Sequence, residues 1–248
     1  MNITLEQVRE WTILEGYRGS IAHGTNLSKN DPNFIEDKDT MGIAIPPIEV
    51  YFGLQKFEQK EVFDDPWDII IYEIKKFFNL LLKSNPNVLS LLYLEPNFYI
   101  KKTELGQRII DNRDIFVSKQ AYQSFMGYAI SQIKKIERCQ YAGYMGARRK
   151  MMVEKYGFDT KHSSTCLMLL NMGIEYLTEG RLYVQRKEAP ILMEIKQGKW
   201  TLEQVKNESD RLMKLCEQAY INSKLPNEPN KIAAEKLLVE ILNERFKK

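Results

Sequence analysis

Two short β-forming runs, set against a long stretch of helical periodicity, constrain this chain most. The first, DKDTMGIAIPP, begins at Asp37 and stops at Pro46 and Pro47, and the second, WDIIIYEI, covers residues 67–74. β-branched and apolar residues dominate both, and the prolines end the first run because they cannot donate to a strand ladder. Behind the second run, KKFFNLLLKSNPNVLSLLYL carries dense helical spacing broken at Asn85-Pro86. Past about Asn97 the β signals fade, and residues 105–115, 121–155, 165–179, 203–220 and 232–246 show helical periodicity with charged outer faces. The expected fold class is therefore α+β: a region over 1–100 that mixes strands and helices, then a helical region over 101–248.

Smaller signals refine this outline. Ile3, Val8, Trp11 and Ile13 suggest a short helix within residues 2–15, ended by a turn over 16–20. Thr201 stands three residues before Gln204, the spacing of a capping box. NSKLPNEPNK is a polar, proline-containing connector to the last helix.

Composition excludes several classes. With 44% hydrophobic and 28% charged residues, the 248-residue chain has no compositional basis for disorder, collagen or an extended coiled coil. A net charge of +3 does not by itself demand a nucleic-acid partner. Cys139, Cys166 and Cys216 are far apart and contain no C-x-x-C, so neither a disulfide framework nor a cysteine zinc site is indicated and a reducing cytoplasm is expected. No window holds the roughly 18 apolar residues that a membrane span needs, and the N-terminus lacks an export pattern.

Chemistry concentrates in Gly19-Ser20-Ile21-Ala22-His23-Gly24-Thr25 and in Asp37-Lys38-Asp39. Strand side chains alternate faces, so Asp37 and Asp39 project to one side. Like charges held close need a compensating cation, and carboxylate oxygens are the hard ligands that Mg²⁺ prefers. Magnesium usually shares its shell with phosphates, and the small residues Gly19, Ser20 and Gly24 let backbone amides approach phosphate oxygens. Together these features describe a nucleoside triphosphate site. A third acid is expected from a neighbouring strand: Asp68, the first choice, or Glu73 as the alternative.

These residues resemble the nucleotidyltransferases of the DNA polymerase β superfamily, whose hallmark is Gly-Ser, a spacer, and an acid-x-Asp pair. GSIAHGT, DKDTMGIAIPP and DIIIYEIKKFFNLLLKSNPNVLSLLYLEP look like a predicted-nucleotidyltransferase group across roughly the first hundred residues. YGFDTKHSSTCLMLLNMGIEYLTEGRLYV resembles that group's helical block, with Lys161 and His162 in its basic segment. The chain departs from the pattern at Glu36, where a serine is usual, and at Leu89-Ser90-Leu91-Leu92. The resemblance implies a small mixed sheet with helices on one face and an NTP bound with two Mg²⁺ ions. It further implies transfer of a nucleoside monophosphate to an acceptor hydroxyl with release of pyrophosphate. Asp37 and Asp39 would bridge the ions, with Asp68 on the nucleophile side.

Other residues fall into place around this reading. His23 and Thr25 lie in the glycine turn, where His23 either donates to a phosphate or holds the loop. Arg148, Arg149, Lys161 and His162 are candidates for a basic wall facing the triphosphate or the acceptor. Tyr141, Tyr144 and Tyr156 flank that cluster and either stack on a base or pack between helices. RNA, including tRNA, or a protein is the expected acceptor. A non-catalytic nucleotide- or RNA-binding module and an antitoxin-like enzyme that modifies a partner protein are the competing readings.

Overall fold

The computed structural model describes residues 3–31, 34, 37–139 and 147–247, with the side chains of 137–139 and 147–149 outside that description. In chain order the elements are α1 (Leu5–Trp11), β1 (Thr12–Tyr17), α2 (Gly19–His23), β2 (Lys38–Ala44), α3 (Ile48–Phe52), β3 (Gln59–Asp64) and β4 (Trp67–Glu73). There follow α4 (Ile74–Leu82), α5 (Pro86–Leu91), β5 (Tyr99–Lys102), α6 (Glu104–Asp111), α7 (Ala121–Cys139), α8 (Ala147–Tyr156), α9 (Thr160–Glu179), α10 (Ala189–Lys196), α11 (Leu202–Asn222) and α12 (Lys231–Phe246).

The strands form one five-stranded sheet in the order β3-β4-β2-β1-β5. Among the described residues only β2 and β4 pair in parallel; β1 is antiparallel to β2 and β5, and β3 to β4, so the sheet is mixed as expected. The central pair are the two apolar runs of the sequence, which is why they lie inside and bury Met41, Ile43, Ile69, Ile70 and Ile71. Three strands escaped the sequence reading. β1 occupies Thr12–Tyr17, where a helix was expected to reach residue 15, because Thr12 and Leu14 pair with β2 and the run Thr12 to Leu14 buries completely or nearly so. β3 is a polar edge strand, and β5 falls on the expected boundary at residue 100.

The two sheet faces differ in weight. One carries Met41, Ile43 and Ile70 into a large core that runs through α4, α5, α7, α9, α10, α11 and α12. The other carries Ala44, Ile69 and Ile71 against Val8 of α1 and Phe57, a small cluster. Helices therefore cover mainly one face, and the N-terminal and C-terminal regions share a single core.

Local chemistry sets the helix boundaries. Asn85 caps α5 with Pro86 at its first position, which explains the break read from Asn85-Pro86. Thr201 and Gln204 form the expected capping box of α11. Gly180, at φ 68°, ends α9 in the left-handed conformation.

One buried charge ties the segment after α9 together. The Arg186 side chain is completely buried and bonds Glu175 at 2.7 and 3.0 Å and Glu188 at 2.9 Å. Its backbone N–H donates to His23 O at 3.1 Å, so this segment also holds the end of α2. Replacing one partner of such a network leaves charge uncompensated. Arg186→Ala should lower unfolding free energy by about 3 kcal/mol, the low end for a buried ion pair because both glutamates keep some solvent contact. Urea denaturation of the two proteins measures it.

Candidate functional site

The site begins with strand register. β2 and β4 run parallel with Asp39 directly beside Asp68, so both carboxylates project from the same sheet face. Asp37 precedes β2 and lines the same cavity, which measures about 340 Å³. Phe63 of β3 sits opposite Asp68 in the antiparallel ladder and is 76% exposed, which puts an open aromatic ring beside the acids.

The glycine turn folds as α2 and brings its residues to the cavity. Gly19 has φ +63°, and a Cβ there would stand 2.0 Å from Asp39 Oδ2. The absent side chain is the space that the carboxylate fills. Ser20 follows on the cavity wall, and Thr25 N donates to Ser20 O at 2.9 Å, closing the turn. Gly24 caps the helix at φ 66° and serves the backbone; it is not part of the cavity wall.

Cations face the acids. Arg18, just ahead of Gly19, places Nη2 3.0 Å from Asp68 Oδ2 and 4.0 Å from Asp39 Oδ1. Lys161, in the first turn of α9, stands 3.6 Å from Asp37 Oδ2. Lys196, the last residue of α10, donates to Thr25 O at 2.8 Å and to Thr25 Oγ1 at 3.0 Å. A third N–H of its ammonium remains beyond these two bonds. Burial, reinforced by the charge of Lys161 and opposed by Asp37 and Asp39, lowers the Lys196 pKa to about 8.

His23 lies on the wall between these groups, its Nδ1 3.0 Å from Val184 O. A carbonyl only accepts, so Nδ1 carries the hydrogen and Nε2 of the neutral ring is an acceptor. Enclosure by protein lowers its pKa to about 4 against the effect of the Val184 bond, with Arg186 and Lys196 adding to the depression.

Asp39 moves the other way. Burial and the neighbouring charges of Asp37 and Asp68 raise its pKa despite Arg18 and Lys161. The Asp39 carboxylate is thus incompletely compensated where it stands, and hard oxygen donors in that condition suit a divalent cation. Among the described residues no three His, Cys, Asp or Glu side chains close on a single point. Arg18 lies within ion-pair distance of both Asp39 and Asp68. The carboxylates of Asp37, Asp39 and Asp68 are the oxygen donors in this cavity that would suit a divalent ion.

Not every expected residue reaches the site. Glu73 caps α4 at the far end of β4, accepting from Lys76 N at 3.1 Å and from the Tyr51 hydroxyl at 2.6 Å. Five residues of strand put it roughly 16 Å from Asp68, so the alternative third acid is excluded by distance. His162 is buried beside Asp159, Nδ1 to Oδ2 3.1 Å, and belongs to the N-terminal cap of α9, not to the basic wall. The side chains of Arg148 and Arg149 lie outside the described residues, as do Glu36, Tyr141 and Tyr144. Tyr156 packs against the core and Gly198. Arg18 and Lys196 escaped the sequence reading: Arg18 adjoins the glycine turn, while Lys196 has no local signal and arrives only by tertiary packing.

Two measurements probe this geometry. Gly19→Ala combines a left-handed backbone with a clash on Asp39, and should cost about 1–3 kcal/mol of unfolding free energy in urea. His23 titrates near 6.5 when unfolded and about 4 when folded. Between those values the unfolded chain binds more protons, so stability falls as pH drops through that window. His23→Gln should flatten that part of a Tm-against-pH profile.

Comparison with known proteins bears on the family. No curated protein matches the sequence. A nucleotidyltransferase-like protein from Exiguobacterium sibiricum 255-15 aligns in structure at 10% identity over 97% of this chain and 77% of its own, with a TM-score of 0.30, too slight a likeness to assign anything. The family model described as "RNA repair pathway DNA polymerase beta family", RlaP, matches residues 6–218. With its paired acids beside the Gly-Ser turn, the chain belongs to this RNA repair pathway DNA polymerase β family.

Proposed function

We propose that the protein is a Mg²⁺-dependent nucleotidyltransferase that moves a nucleoside monophosphate from an NTP to a hydroxyl of RNA. One observation carries this reading: Asp39 and Asp68 stand side by side in parallel register, with Asp37 beside them, and face Lys161 and Lys196 across one cavity. A polyphosphate bridging acids through a metal and lysines directly is the ligand such opposed walls suit.

Asp37, Asp39 and Asp68 would hold the divalent ion, which when bound supplies Lewis-acid stabilisation of phosphate charge. Lys161 and the remaining N–H of Lys196 bind the polyphosphate, with Ser20 beside them. Asp68 is the most open of the three acids, its side chain 41% exposed against 20% for Asp39 and 31% for Asp37. It is the acid that an incoming hydroxyl reaches, and its carboxylate takes the hydroxyl proton. The hydroxyl oxygen bonds the α-phosphorus, the bond from that phosphorus to its bridging oxygen breaks, and pyrophosphate leaves toward the lysines. Phe63 beside Asp68 offers a face on which a terminal acceptor base can stack. The family's description as part of RNA repair supports RNA as that acceptor.

Incubation with each labelled NTP, Mg²⁺ and RNAs of defined 3′ ends tests the reading. Asp39→Asn and Asp68→Asn should each lower transfer by roughly 100-fold or more, the scale of losing an electrostatic stabiliser. Absence of transfer to any RNA by folded wild-type protein would sink it. The Arg18 contact with Asp68 favours one second reading, metal-independent nucleotide binding. NTP affinity equal with and without Mg²⁺ would decide for that.

Lys196 supplies a pH signature. Its charge is lost as pH rises through about 8, so NTP affinity should decline above that pH in the wild type. Lys196→Met should bind NTP more weakly at pH 7 and lose the decline, as read by titration calorimetry.

A further inference from the structure

Arg18 is a cation with an incomplete set of bonds. Its ion pair with Asp68 runs from Nη2 to Oδ2 at 3.0 Å, and Asp39 Oδ1 lies at 4.0 Å from the same atom. Nε is buried with no hydrogen-bond partner among the described residues. Arginine binds carboxylates most firmly when two parallel N–H bonds engage one group, and the Nε–H that would supply one arm of such a fork is not engaged among the described residues. The backbone is fixed: Arg18 N donates to Asp39 O at 2.9 Å, in extended conformation at φ −129°. The side chain is thus anchored at its base and loosely held at its tip.

Its tip sits between two acids that need a counter-charge. Without it, strand register would hold Asp39 and Asp68 adjacent with no cation between them, at a cost that like charges on neighbouring strands always carry. With it, the position that a divalent ion would take is filled.

We propose that Arg18 is a positioning residue that holds the Asp39–Asp68 pair together and competes with a divalent ion for the same two carboxylates. The idea rests on the metal-dependent reading above. Metal and guanidinium are alternative counter-ions for one pair of carboxylates, so each lowers the apparent affinity of the other, as mutually exclusive states require.

Titration calorimetry with Mn²⁺ alone, on the full chain, compares wild type, Arg18→Gln, Arg18→Lys and Asp39→Asn. Arg18→Gln should bind Mn²⁺ about tenfold more tightly than wild type, Arg18→Lys should fall between them, and Asp39→Asn should lose the binding. An affinity in Arg18→Gln equal to or weaker than wild type overturns the inference while leaving the metal reading intact. Failure of both proteins to bind Mn²⁺ overturns both, as does binding that survives Asp39→Asn unchanged. Should Arg18→Gln not fold, the wild type still answers. With ¹⁵N-labelled arginine, and Arg18→Lys to assign the signal, the Arg18 Nε–H resonance should shift on saturation with Mg²⁺. A resonance that stays in place overturns the inference.

Discussion

Parallel pairing of β2 with β4 is the constraint from which the rest follows. Its register sets Asp39 against Asp68 at one end and Ala44 against Glu73 at the other, and fills the interval with buried Met41, Ile43, Ile69, Ile70 and Ile71. A slip of one residue would send the acids to the opposite face and the isoleucines with them. The same apolar packing that stabilises the sheet therefore fixes the position of charge. Parallel strands also require a crossover, and this one passes through α3 and β3, which sets Phe63 beside Asp68.

Charge in the cavity is arranged in opposition. Asp39 and Asp68 come from the sheet and Asp37 from the residue just ahead of β2, while Lys161 and Lys196 come from the ends of two helices that pack together in the C-terminal half. Asp39 is raised and Lys196 lowered in pKa, each chiefly by burial, and each also feels charge of its own sign: Asp37 and Asp68 act on Asp39, and Lys161 acts on Lys196. Neither wall is fully neutralised by the other. That condition favours a ligand which brings both signs at once, such as a cation carried on a polyphosphate.

Much of this was legible in the sequence, for physical reasons. Asp37 and Asp39 line one cavity although only Asp39 belongs to the strand, the apolar runs marked the central strands, and proline, glycine and capping residues marked the helix ends. Asp68 was legible because it opens a strand and Glu73 was misleading because it closes the same strand, a difference that only register resolves. β3 and β5 were hidden because short edge strands bury too few residues to show a period, and β1 because it is buried almost throughout and so shows no alternation of apolar and polar residues. His162 looked basic and available, yet its neighbour Asp159 draws it into a helix cap. Lys196 could not be read at all, since nothing local separates a lysine that packs against Thr25 from one that faces water.

The bond from Lys196 to Thr25 joins the last turn of α10 to the loop after α2, across most of the length of the chain. A hybrid that grafted the first hundred residues onto a foreign helical half would inherit every acid and still be without its opposing wall. The two halves are consequently not interchangeable parts, and a substitution near residue 25 must find its compensation near residue 196.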